Sequence, residues 1–94
     1  MKAVSEREFM RTVIEFANVL GWLVYHVHDS RRSVAGFPDL LMLRRDRQVV
    51  AELKIGKKMP TREQVAWLDA FELAGVPAYV WRPSDWPEIE RALR

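Results

Sequence analysis

The stretch GFPDLLMLRRDRQVVAELK, residues 36–54, decides how this chain folds, and it sets Asp39, Glu52 and Lys54 into segments that otherwise read as sheet. Leu40 to Leu43 and Gln48 to Ile55 have the composition of strands, and RRDR between them reads as a four-residue hairpin loop. Side chains alternate along a strand, so Val49, Ala51, Leu53 and Ile55 share one wholly apolar face, and Val50, Glu52 and Lys54 share the other. The same loop puts Leu43 opposite Gln48, Leu41 opposite Val50 and Asp39 opposite Glu52, with Cβ atoms roughly 5 Å apart. Two like charges directly opposed are unfavourable, and selection for stability alone gives little reason to place them there. A cation reverses the sign. Mg2+ binds carboxylate oxygens at about 2.1 Å, uses one or two protein carboxylates and completes its shell with water and substrate phosphate. Asp39 and Glu52 suit such a site, with Lys54 beside it. The plainer reading is a solvated face for Glu52 and Lys54, and a turn at Pro38-Asp39.

Outward from this hairpin the elements follow in order. Ser5-Glu6-Arg7-Glu8 has the capping-box form, and Phe9, Val13, Phe16, Ala17 and Leu20 recur at helical spacing, which predicts a helix over 5–20 stopped by Gly21. WLVYHVH, Trp22 to His28, reads as a strand, and DSRRSVAG as a loop running to Pro38. Gly56 to Pro60 forms a basic turn. Thr61 opens a second helix to Gly75, its apolar stripe carried by Val65, Leu68 and Phe71 with Trp67 and Ala74 alongside. Ala78 to Arg82 is a fourth strand, and Ser84 or Asp85 caps a short last helix through Leu93, with Pro87 in its first turn. The order is αβββαβα, an α/β (α+β) arrangement in one domain, 1–94.

Ninety-four residues support one core, and an apolar content of 49% with four tryptophans is that of a folded protein. The absence of cysteine excludes a disulfide framework and a thiolate metal site, and favours a reducing, cytoplasmic setting. The start MKAVSEREFM meets charge before an apolar signal region forms, and no stretch has the length to span a bilayer, so neither secretion nor a membrane partner is expected. The net charge of +2 is unevenly distributed: Asp29 to Arg62 carries +5, and the rest −3. A basic middle on an acidic chain is the asymmetry of a polyanion-binding surface, or of a solvated charged face.

GFPDL at 36–40, ELK at 52–54 and a downstream helix bearing Gln64 together resemble the VRR-NUC domains, virus-type replication-repair nucleases of the PD-(D/E)xK superfamily. The resemblance covers nearly the whole chain. It implies a restriction-endonuclease-like αβββαβ core with a mixed central sheet flanked by helices, plus the short C-terminal helix. It also implies that Asp39 and Glu52 bind Mg2+ or Mn2+, that the Leu53 carbonyl adds a ligand, and that Lys54 contacts the attacking water or the scissile phosphate. Glu6 matches the family's first-helix acid and lies in phase with Phe9, Val13 and Phe16, aiming it inward; it equally suits a surface place in the first turn, and Glu8 is the substitute. Gln64 matches the family's helix glutamine, yet Thr61-Arg62-Glu63-Gln64 is also a capping box.

On this resemblance the expected activity is divalent-metal-dependent, structure-selective DNA endonuclease chemistry, in which the cation polarises the phosphate and Lys54 orients water. Single-domain family members resemble junction-cleaving homodimers, which points to Holliday-junction or other branched DNA, cleaved by two chains, and suggests a phage protein acting in the host cytoplasm. Alternatives are a nuclease for nicked, flap or single-stranded DNA and a non-catalytic basic DNA-binding module of the same fold. Arg31, Arg32, Arg44, Arg45, Arg47, Lys57, Lys58 and Arg62 read as phosphate contacts, since nothing resembles a recognition helix. His26 and His28 share a strand face and read as sheet residues, with His28 nearer substrate; the tryptophans read as core or dimer packing before base stacking. No small-molecule cofactor is expected.

Overall fold

The computed structural model describes residues 4–27 and 34–94. It contains α1 (Glu6–Val19), β1 (Leu23–His26), β2 (Leu40–Arg44), β3 (Arg47–Leu53), α2 (Arg62–Leu73), β4 (Ala78–Trp81), a 3-10 turn (Pro83–Asp85) and α3 (Trp86–Leu93). The strands form one mixed sheet in the order β1-β2-β3-β4, antiparallel except for the β3–β4 pair. This is the α+β architecture expected from the sequence. The crossover from β3 to β4 through α2 is what makes the last pair parallel, because parallel neighbours need a long connection.

Both long helices start as their sequences dictate. Ser5 Oγ accepts the Glu8 N–H while the Glu8 side chain accepts the Ser5 N–H, and Thr61 and Gln64 repeat the exchange at α2. Each box satisfies donors that the first turn leaves without helical partners. At the end of the chain, the expected cap differs. Asp85 does not cap α3 with its side chain; its Oδ2 accepts the Arg82 N–H at 2.9 Å and closes the 3-10 turn.

The hairpin register is the one read from the sequence, with Leu41 paired to Val50 and Leu43 to Gln48. Its loop is tighter than expected. Arg44 pairs with Arg47, leaving Arg45 and Asp46 as a two-residue turn in which Arg45 adopts φ 55°. The first strand is shorter than Trp22–His28, although the Val27 N–H still bonds to the Asp39 carbonyl at 3.2 Å.

One sheet face carries the main core: Phe9, Val13 and Ala17 of α1 pack with Leu40, Met42, Val49, Ala51, Leu53 and Trp81, and with Ile89 and Leu93 of α3. The opposite face is covered over β3 and β4 by α2, which buries Leu68 and Val50. That cover alters the expectation of a half-solvated strand, because Glu52 lies on the α2 side and is only 3% exposed. Beyond α2 the same face is bare. Leu23 and Tyr25 of β1 remain 73% and 62% exposed, and Leu43 of β2 is exposed beside them.

The hairpin tip meets the end of α3. Trp22 Nε1 donates to the Leu93 carbonyl at 2.8 Å; Arg44 donates to the carbonyls of Leu20, Leu93 and Arg94, and Arg47 to those of Ala92 and Arg94. Both guanidinium groups lie over the Trp22 ring, 4.9 Å from its centroid. Cations at a helix C-terminus satisfy orphan carbonyls and oppose the negative end of the dipole. Among the described residues, no helix is long and apolar enough to cross a membrane.

Candidate active site

The site begins with the chain entering β2. Gly36 has φ 89°, and an added Cβ would lie 2.5 Å from the Glu63 carbonyl carbon and oxygen, so only glycine lets the loop approach the first turn of α2 so closely. The next residue locks the loop in place. Phe37 packs edge-on against Trp67 at 5.1 Å and Phe71 at 5.9 Å, and Trp67 Nε1 donates to the Ala35 carbonyl at 3.2 Å. Pro38 is buried, and Asp39 follows at the threshold of β2.

Asp39 Oδ2 accepts the Leu53 N–H at 2.9 Å, which binds the carboxylate to the end of β3. Alternation carries Glu52 and Lys54 to the same face, where Lys54 Nζ lies 3.4 Å from Glu52 Oε2. Gln64 reaches in from α2 and donates Nε2 to Glu52 Oε2 at 2.9 Å. Its Oε1 meanwhile accepts the Thr61 N–H at 2.8 Å. The capping bond and the contact to Glu52, which the sequence offered as competitors, are made by the two ends of one amide.

Glu52 Oε1 is buried, and among the described residues no donor reaches it. A buried carboxylate oxygen without a donor is costly, and such exceptions call for an explanation. The Glu52 pKa is raised to about 7, first by burial and then by the negative charge of Asp39, with Lys54 opposing both. A cation at Oε1 would supply the missing partner and remove the repulsion. The donor set is hard and sparse: among the described residues no group of three or more His, Cys, Asp or Glu stands together. Two carboxylates with positions left for water and phosphate match Mg2+ or Mn2+ better than Zn2+. The atom of Leu53 seen to touch the site is its N–H, bonded to Asp39.

Other candidates lie elsewhere. Glu6 is exposed, and none of the described hydrogen bonds or ion pairs includes it, so the inward aim expected from its phase is corrected: it occupies the first turn, where the helix dipole favours an acid. Glu8 is held in its capping box. His26 is paired across from Leu40, on the sheet face away from Glu52. His28, Arg31 and Arg32 lie outside the described residues.

The remaining basic residues divide between two ends of the hairpin. Arg44, Arg45 and Arg47 are at its tip, separated from Asp39 by the length of β2, about 16 Å at 3.3 Å per residue. There Arg44 and Arg47 hold the end of α3, and Arg45 is exposed in the turn. Lys57, Lys58 and Arg62 are exposed at the other end, between the close of β3 and the first turn of α2. The sequence reading missed Arg82, whose guanidinium donates to the carbonyls of Gly56 and Lys58 and so fastens the Lys57-Lys58 turn. Its place after an apolar strand gave no hint of that reach.

Neither a protein-family model nor a curated protein sequence matches the chain. Solved structures do. A structure described as a VRR_NUC domain superposes with a TM-score of 0.73 at 25% identity, over 92% of this chain and 90% of that one. A second, a VRR_NUC domain protein, gives a TM-score of 0.68 at 19% identity over 86% and 79%. The Archaeoglobus fulgidus Hjc, described as a Holliday junction resolvase from an archaeal hyperthermophile, gives 0.60 at 23% identity over 80% of this chain and 66% of that one.

Proposed function

We propose that this chain, a VRR-NUC domain by its fold and structural neighbours, is a divalent-metal-dependent DNA endonuclease selective for branched DNA. The observation that carries the reading is the bare, buried Glu52 Oε1 beside Asp39 and Lys54. Asp39 and Glu52 would hold Mg2+ or Mn2+, which on binding polarises a phosphodiester and lowers the pKa of water at its shell. Lys54, largely buried and tied to Glu52, presents an ammonium that can orient the attacking water and counter charge growing on the phosphate. Gln64 holds the Glu52 carboxylate in one rotamer, and the Asp39–Leu53 bond does the same for Asp39. Lys57, Lys58 and Arg62 contribute phosphate contacts near the cut.

The four-way junction is the favoured substrate, which the named activity of the archaeal structural neighbour supports. A four-way junction offers two symmetric strands and needs two sites, whereas Asp39 and Glu52 make a single candidate site in one chain. A homodimer through the bare half of the sheet, where Leu23, Tyr25 and Leu43 are exposed, meets that need. The test is a panel of four-way, three-way, flap, nicked and linear DNA incubated with Mg2+ or Mn2+. Metal-dependent cutting of branched DNA, lost in Asp39→Asn, supports the enzyme. Salt-sensitive binding with no cutting under any cation refutes it in favour of a binding module.

A further inference from the structure

The segment between Lys54 and Thr61 is fastened to the site at both ends. Lys54 pairs with Glu52, and the Thr61 N–H bonds to the same Gln64 whose amide holds Glu52. Between them the chain projects as the turn GKKMP, residues 56–60, followed by Thr61 and Arg62, with three cations and no acid. The turn is braced from beneath. Arg82 Nε donates to the Gly56 carbonyl at 3.1 Å and Nη2 donates to the Lys58 carbonyl, while the Lys58 N–H bonds to the Ile55 carbonyl. Met59, which follows the bend at Gly56-Lys57, is 73% exposed, with its sulfur 3.8 Å from Arg82 Nη2.

Met59 stands among cations, with Lys57 and Lys58 before it and Arg62 after it, and lysine is depleted at the cores of protein interfaces. That setting suits nucleic acid. Lysines that bind phosphates bring the turn against the bases, and methionine is among the residues that proteins insert between base steps. Met59 is two Cα steps, at most about 7.6 Å, from Thr61, whose N–H shares the Gln64 amide with Glu52.

We propose that Met59, presented by the Arg82-braced turn, is a wedge that enters the base stack at a DNA branch point and directs cleavage to it. The inference rests on the nuclease reading and gives a physical origin to its selectivity. Opening a continuous stack opposes insertion, whereas at a branch point the stack is already interrupted. Burying a methionine is worth about tenfold to hundredfold in affinity, so the gain is realised at the branch and offset within intact duplex. The bracing matters because a turn that is already ordered loses less entropy on binding.

The test uses a four-way junction carrying 2-aminopurine at the branch point and a linear duplex carrying it at the centre. Fluorescence is read without divalent cation at saturating protein, and the ratio of branched to linear cleavage is read with Mg2+. The wild type should raise fluorescence at the branch and not in the linear duplex. Met59→Leu should keep the rise, and Met59→Ala should lose it and lower the cleavage ratio about tenfold. An unchanged signal in the wild type, or Met59→Ala matching it within twofold in both measurements, overturns the wedge. If the wild type raises fluorescence but cuts nothing with Mg2+ or Mn2+, the nuclease reading falls and with it the directing of cleavage, while insertion of Met59 at the branch stands. If it cuts branched DNA without the rise, the wedge falls and the nuclease stands.

Discussion

Gln64 divides its amide between a helix cap and a candidate metal ligand: Oε1 accepts the Thr61 N–H at 2.8 Å and Nε2 donates to Glu52 Oε2 at 2.9 Å. The first turn of α2 and the Glu52 carboxylate are therefore held by one side chain. Gln64→Glu keeps an acceptor for Thr61 but faces Glu52 with a second carboxylate. Its melting temperature should stay within a few degrees of wild type, while cleavage falls at least tenfold. Gln64→Ala loses both contacts and should cost about 1 kcal/mol of stability in urea unfolding as well as activity.

Asp39 is bonded by Oδ2 to the Leu53 N–H, a bond that an asparagine carbonyl can also accept. Asp39→Asn should therefore remain folded, with unfolding free energy within about 1 kcal/mol of wild type, and lose cleavage by at least a hundredfold. Junction affinity measured by electrophoretic shift should be retained or increased, since a negative charge near the phosphates is removed.

The raised Glu52 pKa makes metal-free stability depend on pH in a defined direction. The folded state holds this proton up to about pH 7, and the unfolded chain releases it near the ordinary glutamate value of 4.5. Stability should be greatest below that value and fall by about 3 kcal/mol as pH rises through the window to 7. Glu52→Gln should flatten the profile in urea titrations at successive pH values. Mn2+ affinity should run the other way and weaken about tenfold per unit below pH 7, because the cation competes with the proton.

The two groups of basic residues should separate by experiment. Arg44→Ala removes bonds to the carbonyls of Leu20, Leu93 and Arg94 and should cost about 2 kcal/mol of stability, with little change in the salt dependence of DNA binding. Lys57→Ala and Lys58→Ala should leave the melting temperature nearly unchanged and reduce the slope of log affinity against log salt by about 0.9 each.

Gly36→Ala should be damaging out of proportion to one methyl group. It meets the Glu63 backbone at 2.5 Å in a backbone conformation with φ 89°. A loss of at least about 2 kcal/mol is expected, with cleavage reduced beyond what the folded fraction explains, because the loop that carries Asp39 must shift.

The hairpin was legible because alternation and a short charged loop fix register without reference to the rest of the chain; that register set Glu52 and Lys54 on one face, while their role with Asp39 came from the resemblance. Gln64 was legible only as a choice between two roles, since a linear sequence does not show that an amide has two ends pointing at different neighbours. For Arg44 and Arg47 the sequence showed only the phosphate-contact reading, because the carbonyls of residues 92–94 that they bond are far along the chain and meet them only after the sheet forms. For Glu6 the sequence offered an inward aim from phase and family match or a surface place in the first turn, and the structure takes the second: it precedes Phe9 by one turn, but the first turn of α1 leaves it in solvent.

The two-residue turn at Arg45 and Asp46 projects from the pole opposite the carboxylates, and the chain contains no cysteine. Asp46→Cys would thus introduce a unique thiol at a remote tip, through which the protein can be tethered to a surface or joined to a dye. Anchored there, it would display the Asp39–Glu52 end outward in a uniform orientation.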